Sequence, residues 1–499
     1  MQSSLNNSNH GTVATEVSAV AALLPPALSP PALSRLVVRP RLGLAAAALC
    51  AAVTVGLAGG CGSDPPPPPT PDAAAGTPDA AASPDASSDA ALPDATPAPD
   101  AGPPPGFDFP ERFAALDSGS RNWFGYSVDI SGDVIVVGAP FYDLLAGGEV
   151  LEPSIGAAYV FERDGTSWKQ TARLSGSTVD TSSMFGWSVG VDGDLIAVGA
   201  WGQEAAGSQV GTVYVFERNA TTWEETAILE PLSGDDQTRF GQSVSVSGNR
   251  IAVGAPNITD VDDNDPVTPA YVFEKSGQNW NGVRVEPTDD PRDSWFGYSV
   301  SLSGDTLVVG APADKTHGRG SGAAYVFEVN GANWNQVARF DDANGEIDDY
   351  FGRDVAVDGN VIAIGVEAGG AVTALNQGMV VVYENDGTGW SESARVQASD
   401  PDVDHRFGFS VDVYQGIVVV GAHRDDEVAI DAGSAYIFRK QSGQWEEYSK
   451  LISYGFRSGD QCGAAVAMDG TSVVLGARFA DEAGTDSGSM YVFEMLDGM

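Results

Sequence analysis

The densest group of oxygen-bearing side chains in the sequence is an acidic run, DVDDND, at residues 260–265. Carboxylate and amide oxygens at alternating positions can surround a hard cation such as Ca²⁺. We therefore single out Asp260, Asp262 and Asn264 as candidate metal ligands, and Ca²⁺ as the one cofactor that the sequence indicates. The run lacks the glycine at its sixth position and the glutamate at its twelfth that an EF-hand loop requires. A solvated acidic loop without metal is the alternative interpretation.

Three histidines follow the N-terminal region: His317, His405 and His423. Neutral imidazoles beside carboxylates can bind a transition metal or transfer protons. The three residues belong to two separate repeat units, however, so we expect exposed loop histidines rather than one centre. The sequence shows no nucleophile elbow, zinc-ligand spacing or phosphate-binding glycine loop. We therefore assign no catalytic residue and expect a non-catalytic protein.

Several side chains suited to ligand contact fall in long loops at one end of the predicted domain. Long loops on a rigid scaffold are where binding residues concentrate. The candidate ligand-binding face comprises Trp201, His317, His423, Asp425 and Asp426.

These loops recur with a regular period along the chain. Phe-Gly pairs begin at residues 124, 185, 240, 296, 351 and 407, and Cys462-Gly463 takes the seventh place. After a first step of 61 residues, the spacing is 55 or 56 residues. Such a period is typical of a repeat architecture.

Each repeat unit has the pattern of four β-strands. In the first unit, residues 124–130 alternate between apolar and polar side chains, and residues 134–140 are apolar on both faces. The Ser-Gly-Asp sequence at 131–133 predicts a tight hairpin between them. Third and fourth strands follow at 157–162 and 168–174. Seven such units predict an all-β fold, a seven-bladed β-propeller of four-stranded antiparallel blades.

The strand pattern also predicts which side chains share a face. Phe124, Tyr126 and Val128 occupy alternate positions and are expected to point to the same side of the first strand. The motif glycines, such as Gly125 and Gly138, are expected to let the neighbouring sheet approach closely. A tryptophan opens the fourth strand in most units; we expect it to pack on the outer blade, and a sugar-stacking platform is the alternative.

The last unit lacks a fourth strand, because only five residues follow residue 494. Residues 109–116, FPERFAAL, precede the first unit and are predicted to supply that strand and close the ring. An open solenoid is the competing architecture.

The FG…GAP pair at this spacing resembles the FG-GAP repeat, and the ring is similar to the seven-bladed head of integrin α-subunits. The resemblance spans residues 107–499 and implies the propeller fold, but it implies little about function. The sequence departs from the motif at residues 200–201, 365–367, 422–423 and 477–478 and at Cys462. Integrin propellers carry calcium loops between the first two strands; here that hairpin is too short, so this calcium site is not expected.

Composition divides the chain into three regions. Residues 1–61 combine an N-terminal extension with an apolar stretch that ends at Cys61, similar to the signal peptide of a bacterial lipoprotein lipidated on this cysteine. An ordinary cleaved signal or an uncleaved anchor helix is the alternative. Residues 62–106 are rich in proline, alanine and aspartate and predict a disordered, extended tether. Residues 107–499 form the predicted propeller.

The formal net charge of −42 at pH 7 argues against nucleic acid as a partner. We expect a monomer on the bacterial outer membrane or cell surface, in contact with the membrane through its lipid only. The predicted function is recognition of an extracellular protein or glycan. An envelope structural or assembly component is the first alternative, and a propeller glycan lyase or hydrolase is the second.

Overall fold

A computed structural model describes residues 102–496, apart from 147–148, 206–207, 233–237, 259–268, 290–293, 370–375 and 453–454. The chain divides into two compact units, Met1–Ser87 and Ser88–Met499, and all described residues belong to the second. Cys61, most of the tether and the candidate metal ligands Asp260, Asp262 and Asn264 lie outside the described residues, so the predictions made for them stay predictions.

The described residues form strands and no helix. In chain order, the first strands are β1 (Glu111–Phe113), β2 (Ser127–Ser131), β3 (Val134–Ala139), β4 (Leu144–Ala146), β5 (Glu149–Glu152), β6 (Ala157–Asp164), β7 (Ser167–Leu174), β8 (Ser188–Asp192), β9 (Leu195–Ala200), β10 (Glu204–Ala205), β11 (Ser208–Gln209), β12 (Thr212–Asn219), β13 (Thr222–Leu229), β14 (Ser243–Ser247), β15 (Arg250–Gly254), β16 (Ala270–Ser276) and β17 (Asn279–Val285). The later strands are β18 (Val300–Ser303), β19 (Thr306–Ala311), β20 (Ala323–Asn330), β21 (Asn333–Phe340), β22 (Phe351–Asp358), β23 (Val361–Val366), β24 (Met379–Asn385), β25 (Trp390–Val396), β26 (Phe407–Tyr414), β27 (Ile417–Ala422), β28 (Ser434–Gln441), β29 (Gln444–Leu451), β30 (Ala465–Asp469), β31 (Ser472–Ala477) and β32 (Ser489–Glu494).

These strands form seven four-stranded antiparallel sheets, which are the blades of a β-propeller. From the axis outward the sheets are β2-β3-β6-β7, β8-β9-β12-β13, β14-β15-β16-β17, β18-β19-β20-β21, β22-β23-β24-β25, β26-β27-β28-β29 and β30-β31-β32-β1. The first strand of each blade lies beside the first strand of the next and the ring returns from β30 to β2, so these strands line a central channel. The fold predicted from the repeat period is confirmed.

Strand β1 closes the ring, as predicted, although it is shorter than residues 109–116. It pairs with β32 in the register Glu111↔Val492 and Phe113↔Met490. The fully buried Phe107 precedes it and packs edge-on against Phe493, with ring centroids 6.4 Å apart. The N-terminal strand therefore completes the seventh blade, and the open-solenoid alternative is wrong.

The hydrophobic core lies between neighbouring blades. One cluster joins Val136 and Val160 of the first blade to Phe185, Val198 and Tyr214 of the second, all of them fully buried. The Phe185 and Tyr214 rings meet edge-on at 5.3 Å, a geometry that aromatic pairs prefer. Burial of each large side chain contributes about 1.5–3 kcal/mol. Each blade is thus stabilised by both of its neighbours.

The two motif glycines bring neighbouring blades into backbone contact, as predicted. A Cβ atom on Gly138, near the end of β3, would collide with the carbonyl oxygen of Gly186 in the next blade. The Ser127 hydroxyl, opposite Gly138 in the sheet, donates a hydrogen bond to the same carbonyl at 3.1 Å. Side chains other than hydrogen are therefore excluded from this joint between blades.

Acceptor side chains on the first strands bind the backbone of the next blade across the channel wall. The Asp129 carboxylate accepts a hydrogen bond from the backbone N–H of Val191 at 2.6 Å. Asp354 accepts one from Val411 at 2.8 Å. Serines take the same role in the third blade, as Ser243 does for Val300. These bonds join consecutive blades around the axis.

The tryptophans of the fourth strands pack on the outer blades. Trp168 is 5% exposed, and the Arg163 guanidinium lies 4.3 Å from its ring centroid. Arg218 covers Trp223 in the same way at 4.5 Å. Since arginine side chains cover these ring faces, the structural interpretation of the tryptophans is confirmed for these two blades.

Candidate functional site

A tight turn before each first strand places side chains at one end of the channel. In the first blade, Gly125 has a φ angle of +87°, and the N–H of Tyr126 donates to the carbonyl of Trp123 at 3.1 Å. The turn delays β2 until Ser127. As a result Tyr126 leaves the core that holds Phe124 and contacts the neighbouring blade instead. The prediction that Tyr126 shares a face with Phe124 and Val128 is therefore wrong.

The residue before the Phe-Gly pair is held in an unusual conformation. Positive φ angles between 52° and 57° occur at Trp123, Met184, Trp295, Tyr350, Arg406 and Gln461. Bulky side chains avoid this region of φ, at a cost of about 1–3 kcal/mol each. The same strain in six blades indicates that the turn imposes it.

The residues that follow the motif glycines surround one end of the channel, which we call the axial mouth. They are Tyr126, Trp187, Gln242, Tyr298, Arg353, Phe409 and Ala464. The Tyr126 and Trp187 rings lie 4.6 Å apart. The Arg353 guanidinium lies 4.8 Å from both the Tyr298 and the Phe409 ring centroids. Contacts between successive blades thus connect these side chains from the first blade to the second and from the fourth blade to the sixth.

A second set of mouth residues follows the second strand of each blade. Three blades keep the motif proline there, at Pro140, Pro256 and Pro312, whereas the other four carry Trp201, Glu367, His423 and Arg478. All four non-proline side chains contact members of the first set or their neighbours. The departures from the repeat motif therefore collect at the axial mouth.

One side of the axial mouth is rich in arginine. The Arg353 Nε lies 3.1 Å from Glu367, and Arg406 Nη1 binds the other oxygen of this carboxylate at 2.5 Å. Arg478 instead donates to the amide oxygen of Gln461, at 2.8 Å from Nη2. Within the described part of the chain, no carboxylate lies within 4.0 Å of the Arg478 guanidinium. Burial lowers the pKa of Arg478, so this cation lacks full compensation.

His423 lies among these cations. It is 4% exposed and packs on the Phe409 ring at 4.0 Å. Its Nδ1 atom is buried and has no hydrogen-bond partner among the described residues. Burial, together with Arg478 and the nearby arginines, holds the pKa of His423 well below its usual range. The imidazole is therefore neutral at physiological pH, with one ring nitrogen free for a ligand.

Beside Arg478, which lies 5.0 Å from the Phe479 ring centroid, the axial mouth becomes aromatic. Trp123 meets Phe141 at 4.2 Å and Phe479 at 5.0 Å. Trp187 meets Trp201 edge-on at 5.3 Å. The indole N–H of Trp201 and the amide oxygen of Gln242 are buried without partners in the described residues. Buried polar groups normally have partners, so these two atoms are available to bind a ligand or water.

The structure separates the residues of the predicted ligand-binding face. Trp201 and His423 lie in the axial mouth, as described above. His317 binds Asp341 at 3.1 Å within the fourth blade. Asp425 is buried in the sixth blade, where it accepts hydrogen bonds from Ser434 and Tyr436, each at 2.9 Å, and pairs with Lys450. Asp426 is exposed and accepts a hydrogen bond from the backbone N–H of Asp431 at 2.7 Å.

The expectation of exposed loop histidines is wrong for two of the three. His405 and His423 are 5% and 4% exposed. The turn that contains His405 folds over the ring, and its Nδ1 accepts the N–H of Asp402 at 3.3 Å. His317 and His405 do not join His423 at the axial mouth.

Sequence reasoning missed most of the mouth residues, including Tyr126, Trp187, Arg353 and Arg478. The sequence signal that could have identified them is the replacement of the motif proline in four of the seven repeats. A repeat position that varies while its neighbours stay constant is not required for packing between the blades. In the parts of the chain that the structure covers, no group of three or more His, Cys, Asp or Glu residues is arranged to hold a metal ion. The same residues include no helix long and apolar enough to cross a membrane.

The blades define a seven-bladed propeller whose channel ends in a ring of aromatic, arginine and other polar side chains, the axial mouth. The family model described as FG-GAP repeat matches the chain seven times, at residues 109–161, 168–216, 223–273, 283–327, 334–383, 390–438 and 445–493. These matches cover more than half of the sequence, and the chain belongs to the FG-GAP repeat family. The similarity to the integrin α-subunit head is consistent with this membership. No curated protein matches the sequence.

Proposed function

We propose that this protein is a non-catalytic, monomeric recognition protein of the bacterial cell surface, anchored through a lipid on Cys61. Its partner is an extracellular protein or glycan that binds at the axial mouth. The main observation behind this proposal is that aromatic and arginine side chains are concentrated at the axial mouth. Buried polar atoms of Trp201, Gln242 and His423 there have no partner among the described residues. Aromatic and arginine side chains dominate the energetics of binding surfaces.

The location of the mouth supports this role. It lies at the end of the ring where the long loops after the second strands are found, so a large partner can contact the loops and the mouth together. The predicted tether would hold the propeller away from the membrane, since extended proline-rich chain spans about 3.1 Å per residue.

The binding role is tested with the full chain on glycan and protein arrays and in pull-downs from envelope extracts. The Trp187→Ala variant removes an aromatic side chain from the mouth, and Trp445→Ala, on the outer strand β29, is the matched control. We expect at least a tenfold loss of affinity for Trp187→Ala and none for Trp445→Ala. A ligand that binds both variants equally would place recognition elsewhere.

The anchoring is tested separately by incorporation of labelled palmitate, with Cys61→Ala as the control, and by protease treatment of intact cells. Label in the wild type alone and digestion by external protease are expected. A labelled protein that resists external protease would contradict surface exposure and favour an envelope-assembly role.

A further inference from the structure

The axial mouth combines features that together fit one chemical class of ligand. The described side chains on its charged side include the guanidinium groups of Arg353, Arg406 and Arg478. Two carboxylates face them, Glu367 and Asp404, the latter 2.8 Å from Arg406 Nε, in a protein of net charge −42. Glu367 pairs with two of these cations, which leaves Arg478 bound to a neutral amide. A local cationic excess inside an acidic protein favours an anionic ligand.

The geometry of Arg478 fits a carboxylate. Its Nε and Nη2 atoms donate to Gln461, and its Nη1 atom has no bond to a described residue. Arg353 and Arg478 both contact the Phe409 ring, with distances of 4.8 and 5.7 Å to its centroid. Phe409 belongs to the sixth blade, and the two guanidinium groups come from the fifth and seventh blades. Arginine forms its strongest hydrogen bonds with planar oxyanions.

Three buried polar atoms of the axial mouth have no hydrogen-bond partner among the described residues. A ligand that both donates and accepts hydrogen bonds would satisfy them. The indole N–H of Trp201 is a donor, the amide oxygen of Gln242 is an acceptor, and Nδ1 of His423 takes either role. Hydroxyl groups can satisfy all three, whereas a carboxylate alone cannot. Tyr126 and Trp187 add apolar surface of the kind that encloses a ligand ring.

We propose that the axial mouth binds an acidic sugar of a glycan, with its carboxylate at Arg478 and Arg353. Its hydroxyl groups bind Trp201, Gln242 and His423, and its ring lies against the aromatic side. This assignment rests on the proposed recognition function and narrows its ligand to a saccharide that carries a carboxyl group.

The experiment is calorimetric titration of the full-length protein with oligogalacturonate and with hyaluronate oligosaccharides. The methyl esters of the same sugars keep the rings and hydroxyl groups but lose the negative charge. We expect binding of at least one acidic sugar and at least a tenfold loss of affinity on esterification. A polyglutamate peptide, which supplies carboxylates without hydroxyl groups, is expected to bind at least tenfold more weakly.

Two variants test the residues. Arg478→Gln is expected to lower the affinity for the acidic sugar at least tenfold. Arg319 is an exposed arginine in the corresponding loop of the fourth blade, and Arg319→Gln, which removes the same charge, is expected to leave the affinity unchanged. Trp201→Phe keeps an aromatic ring and removes only the N–H donor, and we expect a loss of about threefold to tenfold. Thermal unfolding of each variant identifies any loss caused by misfolding.

The outcomes separate the two proposals. Failure of all the acidic sugars to bind, equal binding of acid and ester, or equal effects of Arg478→Gln and Arg319→Gln would overturn the acidic-sugar assignment. Equal binding of polyglutamate would overturn the sugar part of it. If only a neutral glycan or a protein binds, and its binding depends on Trp187, the acidic-sugar assignment would be overturned. The proposed recognition function would stand.

Discussion

The closure of the ring can be tested at Phe107. This side chain is fully buried against Phe493 and Tyr448, and its flanking backbone is held by the bond from Asp108 N–H to the Glu494 carbonyl at 2.9 Å. Truncation of a buried phenylalanine to alanine costs about 3–5 kcal/mol, because transfer energy and cavity formation add. Phe109, two residues further on, is 65% exposed. Surface substitutions of this kind change stability by less than about 0.5 kcal/mol.

The assay compares Phe107→Ala with Phe109→Ala in denaturant unfolding, followed by tryptophan fluorescence and by limited proteolysis. We expect a clear fall in the midpoint for Phe107→Ala, with new cleavage near residues 105–116, because strand β1 is released from β32. Phe109→Ala should match the wild type in both measurements.

Equal midpoints for the two variants would refute this account of closure. So would a large loss of stability in Phe107→Ala without greater cleavage of the N-terminal strand, because the damage would then lie in the seventh blade rather than in its attachment to β1.

Three further perturbations test the joints between blades and the electrostatics. Gly138→Ala forces a Cβ atom onto the Gly186 carbonyl and should cost more than about 3 kcal/mol in unfolding free energy, whereas Gly119→Ala, which has no atom nearer than 3.6 Å to its new Cβ, should be close to neutral. Burial raises the pKa of Asp129 to about 7 from an ordinary value of 3.8. The native state therefore binds more protons than the unfolded chain between about pH 4 and pH 7, and this group makes stability fall as pH rises through that window, by at most about 1.4 kcal/mol per pH unit. Melting temperatures measured from pH 4.5 to pH 8 should show a weaker pH dependence in Asp129→Asn; an unchanged profile would contradict this. Glu367→Gln leaves two arginines without their shared carboxylate and should cost about 2–3 kcal/mol in denaturant unfolding. A neutral result would show that water compensates Arg353 and that Asp404, 2.8 Å from Arg406, suffices for the second cation.

The architecture could be predicted because it depends on features that are local and repeated. The period of the Phe-Gly pairs gives the number of blades, and Ser-Gly-Asp turns give the hairpins. The missing last strand and the spare segment that holds Glu111–Phe113 give the closure, because a sheet edge needs a partner. The turns are visible within one repeat, whereas the period and the closure become visible when the repeats are aligned along the whole chain.

The axial mouth, the candidate binding site, could be predicted only in part, because it is assembled from different blades. Trp201 and His423 were identified from their loops, but Tyr126 was placed in the core by strict alternation. The positive φ of Gly125 belongs to a turn that interrupts the alternation of side chains between the two faces of the strand. A pattern of apolar and polar residues does not reveal such a turn. Likewise, the contact between Arg353 and Phe409 joins residues 56 positions apart, which no local pattern specifies.

The site of the motif proline has an evolutionary consequence. Proline holds this site in three blades, while tryptophan, glutamate, histidine and arginine hold it in the others. In six blades the preceding strand keeps the same pairing with the third strand up to its last residue, and β15 ends one residue earlier. Single substitutions at this site therefore change the side chains of the axial mouth while the strands keep their pairing. Descendants of one ancestral ring can differ in the chemistry of this end of the channel while their blades stay nearly unchanged.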